Sequence, residues 1–374
     1  MNASRFFAAD YAQARSLFVA ACEGAGLEVQ SHLHPLRGAQ GEALAMDVAR
    51  LGPADARALL IVSSGCHGPE GFCGSGVQGA LLADAGLRDA ADAAGVAVLF
   101  IHALNPWGFS WLRRVTQENV DLNRNFQDFS QPLPANPGYE ALAHAIVPPV
   151  WPPTADNEAQ LAAYAAQHGP RALQHALSAG QYSHPEGLFF GGHNPCWSRQ
   201  AVCQVLHDQA RRCSSLAWID LHTGLGPSGH GELIFAARDD AATLARARAW
   251  WGPAVTSIYD GSSSSSRISG MLFEAAYLMA PQARYTGIAL EYGTVPLEAV
   301  VAALRADQWL ENHPEVDTSD PALRTAIKRQ MRDAFYVDTD VWKSRIVDQG
   351  LAAVRAAIAG LAGLAEPAAA VGQA

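Results

Sequence analysis

Continuous apolar runs, separated by segments of helical periodicity, set the fold class of this chain. Residues 58–62 (ALLIV) and 96–101 (VAVLFI) are apolar without interruption, which predicts buried strands. Residues 5–25 carry apolar positions at helical spacing, and residues 71–85 predict a helix of small side chains that can lie close to a sheet. Strands that alternate with helices predict a layered α/β fold with a mostly parallel sheet.

The rest of the chain extends this pattern. Further strands are predicted at about residues 27–32, 43–51, 215–224 and 285–294, and helices at 157–178 and through most of 296–364. Residues 130–155 are rich in proline, which favours an extended excursion on the surface. We therefore expect a single domain over residues 1–364 with a surface insertion at about 130–200. Residues 365–374 are small and predict a flexible tail.

Composition and charge exclude several classes of function. Of the 374 residues, 49% are hydrophobic and 17% charged, which suits a large buried core. The formal net charge of −10 argues against general binding to nucleic acid or to anionic membranes. Neither a signal peptide nor a spanning segment stands out, so we expect a cytoplasmic location. The six cysteines include no Cys-x-x-Cys pair and are interpreted as free thiols.

A His-x-x-Glu pair follows the strand at residues 58–62. An imidazole and a carboxylate at this spacing, His67 and Glu70, can point into one small space beyond the strand end. Nitrogen and oxygen donors of this kind bind catalytic zinc, which keeps one position open for water. The pair alone is a weak signal because most such pairs are surface or capping residues. The neighbouring Cys66 is a less favoured alternative as a nucleophile.

Three later segments strengthen the metal hypothesis. The loop at 105–126 combines Arg113, Arg114 and Arg124 with several amides, which indicates either an anion-binding surface or a solvated loop. His222 stands at the end of a predicted strand, as His67 does. Glu291 lies inside an apolar strand, where a carboxylate is costly unless it has a task or a partner.

Together these segments resemble the zinc carboxypeptidase superfamily, whose best-known member is carboxypeptidase A. The shared order is His-x-x-Glu, Asn-Pro, Arg followed by Val-Asp-Leu-Asn-Arg-Asn-Phe, a strand-end His and a strand-end Glu, between His67 and Glu291. The pattern is even more similar to an uncharacterised bacterial branch near the succinylglutamate desuccinylase and aspartoacylase group. This resemblance implies a three-layer α/β/α fold with a central mixed, mostly parallel twisted sheet.

The resemblance also implies roles for particular residues and one Zn²⁺ ion as cofactor. His67, Glu70 and His222 resemble the zinc ligands, and Asp121 resembles the carboxylate that orients the first histidine. Arg114 is similar to the arginine that polarises the scissile carbonyl, with Arg113 as the alternative. Asn123 and Arg124 resemble the pair that grips the substrate carboxylate. Glu291 resembles the general base that deprotonates the zinc-bound water and then protonates the leaving amine. No tyrosine can be assigned as the one that closes over substrate; Tyr259, Tyr277 and Tyr285 are candidates.

Three functions are compatible with this pattern. The first is a zinc-dependent carboxypeptidase that cleaves a peptide next to its free C-terminal carboxylate. The second is an amidohydrolase, or deacylase, that acts on a small N-acyl amino acid in a pocket narrowed by the insertion and by the serine-rich segment 261–266. The third is a binding protein that keeps the fold without catalysis, which the presence of all the key residues disfavours. The oligomeric state cannot be predicted.

Overall fold

The computed structural model describes residues 3–364, apart from the side chains of Asp317 and Thr318. Its sheet has seven strands in the order β1-β2-β4-β3-β5-β7-β6. The strands are β1 (Val29–Arg37), β2 (Ala43–Leu51), β3 (Ala58–Ser64), β4 (Val96–His102), β5 (Ser215–Ser228), β6 (Gly231–Phe235) and β7 (Arg284–Gly293). The four central strands β4, β3, β5 and β7 are parallel, and β1, β2 and β6 pair antiparallel with their neighbours. The predicted mixed α/β architecture is confirmed, with parallel pairing confined to the centre.

Helices cover both sides of this sheet. They are α1 (Tyr11–Gly24), α2 (Gly71–Leu82), α3 (Ala85–Ala94), α4 (Pro106–Ser110), α5 (Pro137–Ile146), α6 (Ala155–His168), α7 (Pro170–Ser178), α8 (Trp197–Ala210), α9 (Ala241–Trp251), α10 (Glu274–Met279), α11 (Leu297–Asn312), α12 (Val316–Ser319), α13 (Pro321–Phe335) and α14 (Asp340–Ala362). Short 3-10 turns lie at Ala3–Phe6, Gly68–Glu70 and Leu122–Arg124. Within residues 3–364, no helix is long and apolar enough to cross a membrane.

Helix α2 packs against the centre of the sheet at unusually short range. A Cβ atom on Gly74 would lie 2.6 Å from Cβ of Ser64, the last residue of β3. The helix is buried on all sides, and α14 packs against both α2 and the strands β3 and β5. The small side chains of α2 therefore allow the close approach that the sequence predicted, and this fixes the loop between β3 and α2.

The insertion predicted at 130–200 is more helical than expected. Helix α5 lies inside the proline-rich stretch because Asn136 caps its N-terminus and Pro137 occupies its first turn, where proline is tolerated. The single helix expected at 157–178 is broken at Gly169 and Pro170 into α6 and α7. These helices share an apolar cluster with α11 and α13. The division into one domain with an insertion stays a prediction, and the tail at 365–374 lies outside the described residues.

Candidate metal centre and active site

The end of strand β3 places the first two candidate ligands. Gly65 turns the chain after β3 with a φ of +64°, a conformation that favours glycine. His67 follows two residues later, and the 3-10 turn that precedes α2 ends at Glu70. Nδ1 of His67 lies 2.8 Å from Oε1 of Glu70. Both side chains are almost completely buried.

Strand β5 brings His222 to the same point. Its Nδ1 lies 2.9 Å from Oε2 of Glu70, and the backbone N–H of Thr223 donates to the same oxygen at 3.1 Å. One donor atom each from His67, Glu70 and His222 lies within 4.8 Å of the others. Two imidazoles and a carboxylate are the donor set of a catalytic zinc site. The three residues therefore fit the metal that the sequence implied.

A carboxylate lies within hydrogen-bond distance of Nε2 of each histidine. Nε2 of His67 is 3.2 Å from Oδ1 of Asp121, and Nε2 of His222 is 2.5 Å from Oδ2 of Asp220. Such a partner holds the ring proton of His222 on Nε2 and leaves its Nδ1 free to bind a metal. Nε2 of His67 also lies 2.9 Å from Nη2 of Arg114, which can only donate. The Nδ1 atoms of both histidines face Glu70.

Asp220 is a candidate functional residue that the sequence analysis missed. It lies two residues before His222 on β5, and alternate strand residues share one face of a sheet. This period of two was the available signal. Oδ1 of Asp220 accepts a hydrogen bond of 2.5 Å from Ser63, which in turn accepts one of 2.7 Å from the indole N–H of Trp218. A chain of buried hydrogen bonds thus fixes the carboxylate that orients His222.

Glu291 stands opposite His222 in the pairing of β7 with β5. Its Oε1 accepts a hydrogen bond from the backbone N–H of Leu225 at 3.1 Å. Burial raises the pKa of the Glu291 carboxyl to about 8, and the carboxylate of Glu70 adds to this rise. A bound divalent cation would act in the opposite direction. Glu291 is outside the candidate ligand cluster found among the described residues.

Arg114 lies against the ligand cluster. Its Nε donates to Oδ2 of Asp121 at 3.0 Å, and its Nη1 lies 3.3 Å from Oε1 of Glu70. The guanidinium also covers the ring of Phe189 at 5.0 Å. The position next to the candidate ligands is where a group that polarises a substrate carbonyl has to be.

The structure does not bring Arg113 to this site. Its Nε lies 3.1 Å from Asp307 and its Nη1 lies 3.2 Å from Glu311, both on α11. Nη2 donates to Asn119 at 2.9 Å and to Gln308 at 3.0 Å. Because this guanidinium is already surrounded by carboxylates and amides, the expectation that Arg113 could contact substrate is corrected. The neighbouring residue, Arg114, lines the cavity next to the candidate ligands.

Arg124 is a buried cation that forms no ion pair with a carboxylate of the described residues. Its Nη1 donates to the Asn123 carbonyl at 2.9 Å and its Nη2 to the Ser178 carbonyl, while its Nε has no partner among the described residues. No described carboxylate forms an ion pair with it. Burial lowers the pKa of the Arg124 guanidinium, which Asp121 only partly opposes. Gly180 makes room for the side chain, because a Cβ there would lie 2.7 Å from Cδ of Arg124.

A single cavity of about 770 Å³ joins these groups. The predicted site residues that line it are His67, Glu70, Arg114, Asn123, Arg124, His222 and Glu291. Most of the remaining lining is apolar and comes from the insertion helices, from α11 and from strands β6 and β7. Two hydrogen bonds join helix α7 of the insertion to the serine-rich segment. Arg171 donates to the Gly261 carbonyl at 3.0 Å, and Gln174 donates to the Ser264 carbonyl at 2.8 Å.

The other candidate residues contribute less to the site. Of the three tyrosines considered, Tyr285 lines the cavity, but its hydroxyl donates to the carbonyl of Ala236 at 3.0 Å. The hydroxyl of Tyr259 donates to the Ala237 carbonyl, and that of Tyr277 accepts from the backbone N–H of Arg238. Burial raises the pKa of the Cys66 thiol well above its usual range, which disfavours a nucleophilic thiolate.

Comparison with known proteins assigns the family. Residues 7–349 match the family described as "Protein of unknown function (DUF2817)". The chain belongs to this family. Comparison with curated proteins finds no match.

Several solved structures are similar to this DUF2817 protein, among them three carboxypeptidases or their relatives. Thrombin activatable fibrinolysis inhibitor has a TM-score of 0.47 at 12% identity, over 91% of this chain and 74% of that one. The carboxypeptidase A of Helicoverpa armigera has 0.42 at 12%, over 87% and 73%. A metallo-carboxypeptidase from Burkholderia cenocepacia has 0.41 at 12%, over 82% and 69%. These values establish nothing about activity. The placement near the succinylglutamate desuccinylase and aspartoacylase group stays a prediction.

Proposed function

We propose that this DUF2817 protein is a zinc-dependent hydrolase that cleaves an amide bond next to a free carboxylate. The observation that carries the proposal is the convergence of three groups on one cavity. The cluster of His67, Glu70 and His222 fits a metal, Glu291 lines the same cavity as a candidate base, and Arg124 is a buried cation without a carboxylate partner among the described residues. An anionic substrate group would complete the pairing of Arg124.

Each residue then has a defined task. Zinc would supply Lewis-acid chemistry that acidifies water and polarises a carbonyl. Glu291 accepts a proton from the attacking water and transfers it to the leaving amine. Arg114 donates a hydrogen bond to the carbonyl oxygen as negative charge develops there. Arg124, with Asn123 beside it, binds the substrate carboxylate and so positions the amide.

A second candidate, a deacylase of N-acyl amino acids, is favoured by one specific observation. The contacts of α7 with residues 261–264 join the insertion to the serine-rich segment, and Gln174, Ser265 and Ser266 line the cavity that holds the candidate ligands. Elements joined in this way limit the space for a long peptide, which needs an open groove, and so favour a small substrate. Both candidates share the same metal ligands, base and carboxylate anchor, and they differ in the acyl side of the substrate.

Two small substrate panels would test the proposal. The zinc-loaded protein is incubated with blocked dipeptides that have a free C-terminus and with N-acyl amino acids, beside a chelator-treated aliquot. We expect metal-dependent hydrolysis, and cleavage of the acyl panel alone would identify a deacylase. Neutral amides of the same compounds are the control, because they lack the carboxylate for Arg124. If neither panel is hydrolysed although elemental analysis confirms bound zinc, the proposal is contradicted.

A further inference from the structure

Phe189 lies in the apolar, glycine-rich loop at 187–192 and has an unusual backbone conformation. Its φ is +54°, in the left-handed region that a residue with a Cβ atom rarely adopts. Leu112 and Asn119 are the other described non-glycine residues with a positive φ, and neither lines the cavity, whereas Phe189 does. A strained residue that is kept at a cavity points to a task for its side chain.

Hydrogen bonds before and after Phe189 hold the loop in place. The Phe189 carbonyl accepts from the backbone N–H of Gln181 at 3.1 Å, and the Leu188 carbonyl accepts from Nε2 of the same residue at 3.2 Å. The Phe190 carbonyl accepts from the backbone N–H of Asp121 at 2.7 Å. The loop is therefore tied to the segment that carries Asp121 and, three residues later, Arg124.

The ring of Phe189 contacts both arginines of the candidate site. Its centroid lies 5.0 Å from Cζ of Arg114 and 5.6 Å from Cζ of Arg124. Both distances are within about 6 Å, where the electron-rich face of a ring attracts a cation. Burial, and then the positive charge of Arg114, lower the pKa of the Arg124 guanidinium. The two buried cations therefore disfavour each other, and one ring compensates both in part.

A ring compensates a guanidinium without occupying its N–H donors. Carboxylates do occupy such donors, as the contacts of Arg113 with Asp307 and Glu311 show. Contact with Phe189 thus makes the burial of Arg124 less costly, while Nε of Arg124 stays without a partner among the described residues. This is the arrangement that a site needs when its donors are reserved for a substrate.

We propose that Phe189 is a positioning residue that holds Arg114 and Arg124 as one binding unit for the scissile carbonyl and the carboxylate of the substrate. This inference rests on the proposed function and adds a residue to it. Through Arg124 the ring acts on KM. Through Arg114 it acts on kcat, because the hydrogen bond to the carbonyl oxygen strengthens in the transition state. Loss of a buried contact between a ring and a cation corresponds to about a tenfold fall in kcat/KM.

Phe189→Leu would test the inference. Leucine keeps an apolar side chain and the same backbone strain, and it removes only the ring. The zinc-loaded protein is assayed with acetylphenylalanine and with acetylglycylphenylalanine. We expect a higher KM, a lower kcat and a fall of about tenfold in kcat/KM. An aromatic replacement, Phe189→Tyr or Phe189→Trp, should recover most of the loss, and recovery by neither would overturn the inference.

Phe190→Leu is the matched control on the same loop. Phe190 is 5% exposed and Phe189 is 9% exposed, so the two changes remove similar buried rings. The ring of Phe190 packs against that of His193, with centroids 5.2 Å apart, and does not line the cavity. Phe190→Leu should lower stability to urea as Phe189→Leu does, but leave kcat and KM within about twofold of wild type. Equal kinetic losses in the two variants would overturn the inference, because the rings would then serve only the folding of the loop.

The variant Arg124→Met decides whether the ring acts through an arginine. When Arg124 is already absent, Phe189→Leu should no longer raise KM, although it should still lower kcat through Arg114. Effects on KM that simply multiply in the double variant would overturn the inference, because independent residues behave in that way.

Urea denaturation separates the inference from the proposed function. If neither compound is cleaved, the proposed function fails, and the stabilities of Phe189→Leu, Arg124→Met and the double variant still decide the contact. A ring that compensates Arg124 predicts that the double variant loses less stability than the two single variants together. Losses that add up fully would overturn the inference.

Discussion

Arg113 and Arg114 are adjacent in sequence and belong to two different clusters of buried charge. Arg113 joins Asp307, Glu311 and Lys328, where two cations and two carboxylates lie 2.7–3.2 Å apart. Arg114 joins the cluster around Glu70 and Asp121. In the first cluster every charge has a partner of opposite sign on a neighbouring element. In the second, the Nδ1 atoms of two histidines converge on Glu70, and the nearby Arg124 has no described carboxylate partner.

The difference distinguishes a structural cluster from a functional one. Burying a charge is unfavourable unless other groups compensate for it. The cluster of Arg113 achieves this within the chain and so needs nothing else. The candidate site is compensated only in part, and a cation between the ligands and an anion at Arg124 would complete it. Incomplete compensation at a cavity is therefore better evidence of function than the number of charges.

Glu291→Gln should produce the largest effect. Removal of a general base lowers the rate by about 10²–10⁴-fold, while the three ligands should still hold the metal. Steady-state kinetics and elemental analysis on the same sample measure both quantities. The matched control is Glu311→Gln, a partly buried carboxylate of the structural cluster, which should leave kcat nearly unchanged. Loss of zinc from Glu291→Gln would show that Glu291 is a ligand.

Arg113→Met should act on stability alone. Without Arg113, the carboxylates of Asp307 and Glu311 lose one of their two cations, and breaking a buried ion pair lowers the free energy of unfolding by about 3–5 kcal/mol. Urea denaturation measures this loss. Folded enzyme should keep its kcat/KM, because Arg113 does not line the cavity. A variant that is stable but inactive would restore Arg113 as a substrate contact.

The strand ends explain how much of the site was predictable. His67, His222 and Glu291 each terminate or follow an apolar run, and the ends of neighbouring parallel strands meet at one edge of a sheet. Sequence pattern therefore located the candidate metal ligands and the candidate base. The same pattern gave six of the seven strands, since buried parallel strands are continuous apolar runs, and it missed the five-residue edge strand β6 (Gly231–Phe235).

The features that the local sequence could not distinguish depend on tertiary contacts. Nothing local tells Arg113 from Arg114, since their directions are set by α11 in one case and by Asp121 in the other. Asp220 was hidden because its partners, His222 and Ser63, come together only when β3 and β5 pair. Helix α5 was not predicted because the proline-rich stretch at 130–155 was interpreted as extended chain. Pro137 lies in the first turn of this helix, where proline is tolerated.

Arg124→Met should weaken substrate binding and lower stability less than Arg113→Met does. A hydrogen bond to a charged group contributes about 1.5–3 kcal/mol, so kcat/KM should fall by roughly 10–150-fold, mainly through KM. The change removes the hydrogen bonds to the Asn123 and Ser178 carbonyls but no described ion pair, so urea denaturation should detect a smaller loss than for Arg113→Met. Neutral amide substrates serve as the control, because their hydrolysis should be insensitive to the variant. An unchanged KM for carboxylate substrates would remove Arg124 from the site.

Asp220→Asn should give the smallest effect and tests whether the cluster around His222 is organised for metal. Asparagine can still accept the hydrogen bond from Nε2 of His222, but it no longer carries the charge that strengthens the imidazole as a ligand. Loss of such partners weakens metal binding by about 10–100-fold. Competition with a chromogenic chelator measures zinc affinity without any substrate. Asp307→Asn is the matched control, since that carboxylate belongs to the cluster of Arg113 and should leave zinc affinity unchanged. Equal affinities for wild type and Asp220→Asn would mean that Asp220 only ties β5 to β3 through Ser63, and His222 would then depend on Glu70 and Thr223 for its position.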